Sequence, residues 1–374
     1  MAHIAVNTRL LLSHRLEGIS RFGYEVLKRM VAENPNTKFS FFFDRAYDPT
    51  FVFGDNVTAY HLPPQARHPV LWHMWFHWQV PRKLRQLQAD VFFSPEFYLS
   101  SDIGIPQIPV FHDLAYEHYP KDIAPWASRY CRKYSPIYAR RAAHLLTVSE
   151  FSKQDISDRY GIARDRISVV HNGASRTFQP LPTAQQQAVR DQYSGGKPYF
   201  HFVGTLHPRK NIEHLLLAFD RFRDRIDTSV QLLLIGRKGW QYEGALRTYQ
   251  AMKYKEDVHF TGFVSDEDLN RLYAASLGLC YIPYLEGFGI PLLEAMQSEI
   301  PIICSKLTAM PEVAGKAALL VDPFSLEEIS ESMLRLYHEP ALRQQLIEEG
   351  RIQRTQFSWD KTYQRVWRVL KRYV

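Results

Sequence analysis

The sequence predicts an α/β protein of two domains, each built around a parallel sheet. Three observations carry this reading: short apolar runs alternate with helical patterns, the alternation occurs twice, and a polar stretch separates the two halves. A chain of 374 residues is also too long for one ordinary core.

In the first half the spacing predicts strands at 3–8, 39–43, 57–62, 90–94, 108–112, 145–148 and 167–171. Helices are expected at 20–32, 125–143 and 150–160, the last opened by Ser149 as an N-cap. From 173 to 198 the pattern lapses into a Gln- and Pro-bearing stretch ending in Ser194-Gly195-Gly196, which reads as a linker with one short helix. The boundary is placed there, giving a first domain of 1–178 and a second of 179–357. The second half predicts strands at 199–204, 231–235, 258–261, 278–282, 300–304 and 318–321, with helices at 211–223, 266–275 and 291–297. The tail from 324 to 374 reads as helical throughout.

Hydrophobic residues at 45% and charged residues at 23% argue against disorder, and a net charge of +7 favours anionic partners without choosing among them. Cys131, Cys280 and Cys304 are unclustered, so no disulfide framework or CxxC site is indicated, and a cytoplasmic location fits. No apolar stretch approaches the ~20 residues of a membrane span, and we expect no signal peptide.

Chemistry concentrates in two turns of the second half. Gly204-Thr205 ends one strand and leads through Leu206-His207-Pro208 to Arg209-Lys210-Asn211 and a helix. Adjacent cations between a strand's carboxyl end and a helix N-terminus suit a diphosphate; a solvated basic turn is the structural alternative. The segment Glu286-Gly287-Phe288-Gly289-Ile290-Pro291-Leu292-Leu293-Glu294 follows a later strand and opens a helix. Its glycines let the backbone approach a ligand, and its two carboxylates are acceptors for sugar and ribose hydroxyls. Each acid also has a plainer reading, Glu294 as a helix-dipole partner and Glu286 as a surface loop acid.

On these residues, together with Thr147-Val148-Ser149-Glu150-Phe151-Ser152 and His171-Asn172-Gly173, the whole chain resembles the retaining glycosyltransferases of the GT-B fold, family 4 (glycosyl transferases group 1). The resemblance implies two Rossmann-like domains whose parallel sheets face across a deep cleft, with a last helix, 358–374, returning to the first, acceptor-binding domain. It implies that Glu286 contacts the donor hexose, Glu294 the ribose, and Arg209 and Lys210 the diphosphate, with Gly204, Thr205 and the main chain of Phe288, Gly289 and Ile290 nearby. It also implies His112, at a strand end, beside the donor sugar, and Gly18, in the Glu17-Gly18 loop, near the phosphates or the acceptor. Many relatives carry two glycines in that loop, and some carry Arg where this chain has Thr205.

The expected reaction is transfer of a glucose- or mannose-class hexose from a UDP- or GDP-sugar to a saccharide or lipid-linked saccharide in polysaccharide biosynthesis. No cofactor or metal is expected. A nucleotide-sugar epimerase of the same two-domain architecture is the alternative, whereas no G-x-G-x-x-G follows the first strand and the cations are scattered, against a dinucleotide or nucleic-acid binder. Asp266-Glu267-Asp268 has a metal-binding spacing but reads as the acidic first turn of a helix. His73 and His77 lack a third ligand. The aromatic run from Leu71 to Trp78, followed by Pro81-Arg82-Lys83, reads as core, acceptor groove or a peripheral membrane patch at the inner face.

Overall fold

A computed structural model describes all residues except 14, 15, 17, 102, 176 and 240. The chain divides into two compact units, Met1–Asn172 with Ser358–Val374, and Gly173–Phe357. Residues 173–178, expected in the first domain, belong to the second unit. Phe178 packs edge-on against Tyr273 at 5.3 Å, and the Gln179 amide donates to Asn270 Oδ1.

The first unit holds seven parallel strands: β1 (His3–Asn7), β2 (Lys38–Phe43), β3 (Val57–His61), β4 (Val91–Ser94), β5 (Gln107–Phe111), β6 (Leu145–Thr147) and β7 (Ile167–Val169). Their order is β3-β2-β1-β4-β5-β6-β7. The second holds β8 (Tyr199–Val203), β9 (Gln231–Ile235), β10 (Val258–Gly262), β11 (Gly278–Tyr281), β12 (Ile302–Ser305) and β13 (Ala318–Val321), ordered β10-β9-β8-β11-β12-β13. Both sheets are Rossmann-like and doubly wound. Each reverses direction between its first and fourth strand, and ligands of such sheets bind at the carboxyl ends at that reversal.

Strands β1, β8, β9 and β11 are buried along their whole length, which is why they read as unbroken apolar runs rather than alternating ones. Strand β12 begins two residues later than expected, because Pro301 has no N–H to give to the ladder; its carbonyl instead accepts from Leu279 N. The helices Glu243–Ala251 and Met310–Ala314 escaped the sequence reading. The aromatic run begins as an α-helix, Pro69–Met74, and continues as a π-helix, Trp75–Gln79.

The first unit is closed by the helix Trp359–Leu370. Trp359, Tyr363, Val366, Val369 and Leu370 are buried, Arg29 pairs with Asp360 at 2.6 Å, and Thr362 Oγ1 donates to the His171 carbonyl at 2.5 Å.

Candidate active site

In the second unit the reversal lies between β8 and β11, and both predicted turns leave the sheet there. Gly204 adopts φ +137, a conformation that L side chains rarely adopt, and its amide donates to Ile235 O. Its carbonyl lies so close to Gly236 that a Cβ at Gly236 would strike it. Thr205 follows, half-buried, before the turn Pro208–Lys210. Asn211, at φ +62, ties this turn to the end of β11: its Nδ2 donates to Ile282 O at 3.3 Å and to Pro323 O at 2.6 Å, and Tyr284 N donates to Arg209 O.

That tie brings the cations to Glu286. Arg209 Nη1 donates to Glu286 Oε2 at 3.1 Å, and Lys210 Nζ, itself buried, donates to the same oxygen. Tyr281, the last residue of β11, joins them: Lys210 Nζ donates to its hydroxyl at 2.5 Å, and that hydroxyl donates to Glu286 Oε2 at 3.1 Å. All three donors converge on one carboxylate oxygen. Burial would push the Glu286 carboxyl up, but the Lys210 and Arg209 charges and the hydrogen bonds from Lys210 and Tyr281 hold it down at about 2, so it is ionised at neutral pH. Burial, with the Glu286 carboxylate beside it, pushes the Tyr281 phenol well above its ordinary range, so it stays a donor.

The Gly-rich turn then starts the helix Ile290–Gln297. Phe288 is buried, 5.7 Å from Phe357, and Gly289 stands at φ +93, where a Cβ would lie 2.6 Å from Met310 Cε. Ile290 is the first helical residue, and Glu294 lies one turn in, accepting from the Tyr273 hydroxyl at 2.9 Å. Both acids bear electrostatically on Tyr281. Arg209, Lys210, Tyr281 and Glu286 thus form one hydrogen-bonded cluster, and Glu294, bonded to Tyr273, is near enough to bear on Tyr281.

Tyr281 and Tyr273 were missed by the sequence reading. Each sits in an apolar run where an aromatic reads as core filler, and only their hydroxyls' partners betray them.

In the first unit the corresponding reversal lies between β1 and β4. Arg9 stands two residues past the end of β1, and the sequence alone gives it no role. It makes a two-pronged ion pair with Glu96, both bonds 2.5 Å, and donates to Ala66 O at 2.9 Å. Tyr98 packs on its cation at 5.0 Å, and Asn7 Nδ2 donates to Glu96 at 2.6 Å. Burial disfavours the Arg9 cation, yet Glu96 outweighs it and holds the guanidinium above its usual range.

His112 follows β5, its Nε2 2.8 Å from the Pro95 carbonyl and its ring edge-on to Phe22 at 5.2 Å. A carbonyl only accepts, so Nε2 carries the proton and Nδ1 is an acceptor. Burial lowers its affinity for a second proton, favouring neutral imidazole. Gly18 caps the helix Ile19–Glu33 at φ +51. Glu17, its neighbour in the expected loop, lies outside the described residues.

Asp266, Glu267 and Asp268 form the first turn of the helix Asp266–Ala274, where Ser265 Oγ accepts from Asp268 N. Among the described residues no group of three or more His, Cys, Asp or Glu could hold a metal ion. The rings of His73 and His77 pack on each other at 4.2 Å. Trp72, Trp75 and Phe76 are buried, whereas Trp78 is 62% exposed, so the aromatic run is core on one side only.

Two Rossmann-like sheets, one carrying paired cations and carboxylates at its reversal, define the class: a glycosyltransferase of the GT-B fold. Residues 17–177 match the family described as Glycosyltransferase Family 4, and residues 185–353 that described as Glycosyl transferases group 1. The chain belongs to glycosyltransferase family 4. It is 29% identical over 365 residues to O-antigen chain mannosyltransferase B of Escherichia coli, covering 93% of this chain and 94% of that one. It is 28% identical over 274 residues to O-antigen chain mannosyltransferase RfbU of Salmonella typhimurium, covering 72% and 71%. In fold it is similar to the Anabaena protein HepE, crystallised with UDP and glucose, at a TM-score of 0.77 and 15% identity over 98% of this chain and 99% of that one. No described helix is long and apolar enough to cross a membrane.

Proposed function

We propose that this enzyme transfers a glucose- or mannose-class hexose from a UDP- or GDP-sugar to a saccharide or lipid-linked saccharide, with retention of anomeric configuration. It works in the cytoplasm during polysaccharide biosynthesis and touches the membrane peripherally. The observation that carries this reading is the convergence of Arg209, Lys210 and Tyr281 on Glu286 at the sheet reversal. The names of the Escherichia coli and Salmonella relatives support a mannosyl donor, and the contents of the HepE crystal support a nucleotide.

Departure of a nucleoside diphosphate builds negative charge on phosphate oxygens as the sugar becomes oxocarbenium-like. Arg209 and Lys210 are fixed cations that neutralise that charge without reorganising. Glu286, kept ionised, accepts from hexose hydroxyls through lone pairs outside the three bonds it already takes, and Glu294 accepts from the ribose. His112 offers Nδ1 to the donor sugar, and the main chain of Gly18, Phe288, Gly289 and Ile290 lies at the phosphates. The acceptor hydroxyl attacks the face the diphosphate leaves, a leaving-group oxygen taking its proton. With two cations in place the reaction needs no metal or other cofactor.

The test is product analysis with GDP-mannose and UDP-glucose, with and without added saccharide acceptor, in the presence of chelator. The reading expects acceptor-dependent hexose transfer with the donor's anomeric configuration kept. Acceptor-free interconversion of the nucleotide sugar would instead favour the epimerase alternative.

A further inference from the structure

The chain carries 39 acidic residues among 374, yet none falls within 56–89 or within 125–141. The first of those stretches holds Arg67, Arg82, Lys83 and Arg85, and the second, the helix Pro125–Arg141, holds five more cations. These two acid-free stretches lie side by side in the first unit. Trp72 meets Trp126 at 5.6 Å, His73 meets Tyr134 at 6.1 Å, and the Tyr138 hydroxyl is 3.3 Å from His77 Nε2.

Their outer side is neither ordinary core nor ordinary polar surface. Along Pro125–Arg141, Trp126, Arg129, Lys133, Ile137 and Arg140 are all exposed, and their spacing of three or four residues puts them on one helical face. Trp126 and Ile137 are 46% and 45% exposed, and on the neighbouring element Val70 and Trp78 are 60% and 62% exposed. Beside the stripe, Arg132, Lys133, Arg140 and Arg159 line an open hollow of about 580 Å³. Glu117, the one carboxylate lining it, is engaged by Arg132 and by the Tyr160 hydroxyl.

A surface that interleaves exposed indoles and aliphatic side chains with cations drawn from acid-free stretches of chain matches a partner that is anionic outside and apolar just beneath. Nucleic acid offers the charge but no layer for Ile137 and Val70. We propose that this face of the first unit docks on an anionic lipid surface, Trp78, Trp126 and Ile137 entering the headgroup boundary and Arg129, Lys133 and Arg140 meeting lipid phosphates. The inference deepens the peripheral membrane contact of the proposed function and rests on that reading only for its purpose, since these residues belong to the first unit and the donor cluster to the second.

The test is flotation of the full chain with vesicles of phosphatidylcholine, or of phosphatidylcholine mixed with phosphatidylglycerol. The protein is expected to float with the anionic vesicles only, to be released by added salt, and to show indole quenching by brominated acyl chains. A cation near such a surface contributes about fivefold to partitioning, so combined Arg129→Gln, Lys133→Gln and Arg140→Gln lowers it about a hundredfold. Trp126→Ser lowers it with the charge intact. Equal binding to neutral and anionic vesicles, unchanged partitioning of the triple variant, or tighter binding to a single-stranded oligonucleotide than to anionic vesicles would overturn the proposal. Flotation without response to any nucleotide sugar would leave this surface standing and remove the transferase reading instead.

Discussion

At the scale of single residues, Glu286 is the point on which the cluster converges. A buried carboxylate is costly unless paired, and here two cations and a phenol meet one of its oxygens. Because its pKa is depressed from 4.5 to about 2, it stabilises the fold above its ordinary value, and that contribution disappears as pH falls from about 4.5 to about 2. Urea midpoints of the wild type are expected to drop across that window, and Glu286→Gln to show a shallower drop; equal slopes would mean that the carboxylate is not held as described. The predicted site residues of the second unit were legible because adjacent cations and a Gly-rich turn have local signatures. Arg9 was not. Its partner Glu96 lies 87 residues away, and nothing in the sequence near either residue announces the pairing.

At the scale of elements, strand position was legible and strand surroundings were not. Burial on both faces turns the central parallel strands into apolar runs, and every strand was located to within two residues, the half-exposed edge strands by their place in the alternation. The helix Glu150–Tyr160 was bounded by its own punctuation: Ser149 Oγ accepts from Ser152 N, and Gly161 ends it at φ +65. The π-helix Trp75–Gln79 had no such mark, since its wider turn is set by packing rather than by residue period. Backbone demands are also sharpest at element ends. Gly289→Ala places an L residue at φ +93 and a methyl against Met310, which predicts a loss of at least about 1–2 kcal/mol in urea unfolding. An unchanged midpoint would show that the turn relaxes freely.

At the scale of the whole molecule, the first unit is made of two separate stretches of chain. The closing helix buries Trp359, Tyr363, Val366, Val369 and Leu370 within it. Each such side chain contributes about 1.5–3 kcal/mol, so the five together rival the about 5–15 kcal/mol that holds a whole domain. Ending the chain after Phe357 is therefore expected to expose the first unit to limited proteolysis while Gly173–Phe357 stays protected. Retained protection of both would show that the helix is an accessory. That the tail is helical could be read from its pattern, but that it completes the first unit came only by resemblance.

The central claim is that Arg209, Lys210, Glu286 and Glu294 form one site for an activated sugar. A ligand that binds only the folded state raises its melting temperature, so thermal unfolding with nucleoside diphosphates and their sugars measures the claim directly. The account predicts a clear rise for the wild type with at least one such nucleotide, and its loss in both Lys210→Ala and Glu294→Ala. The same rise in both variants would contradict it.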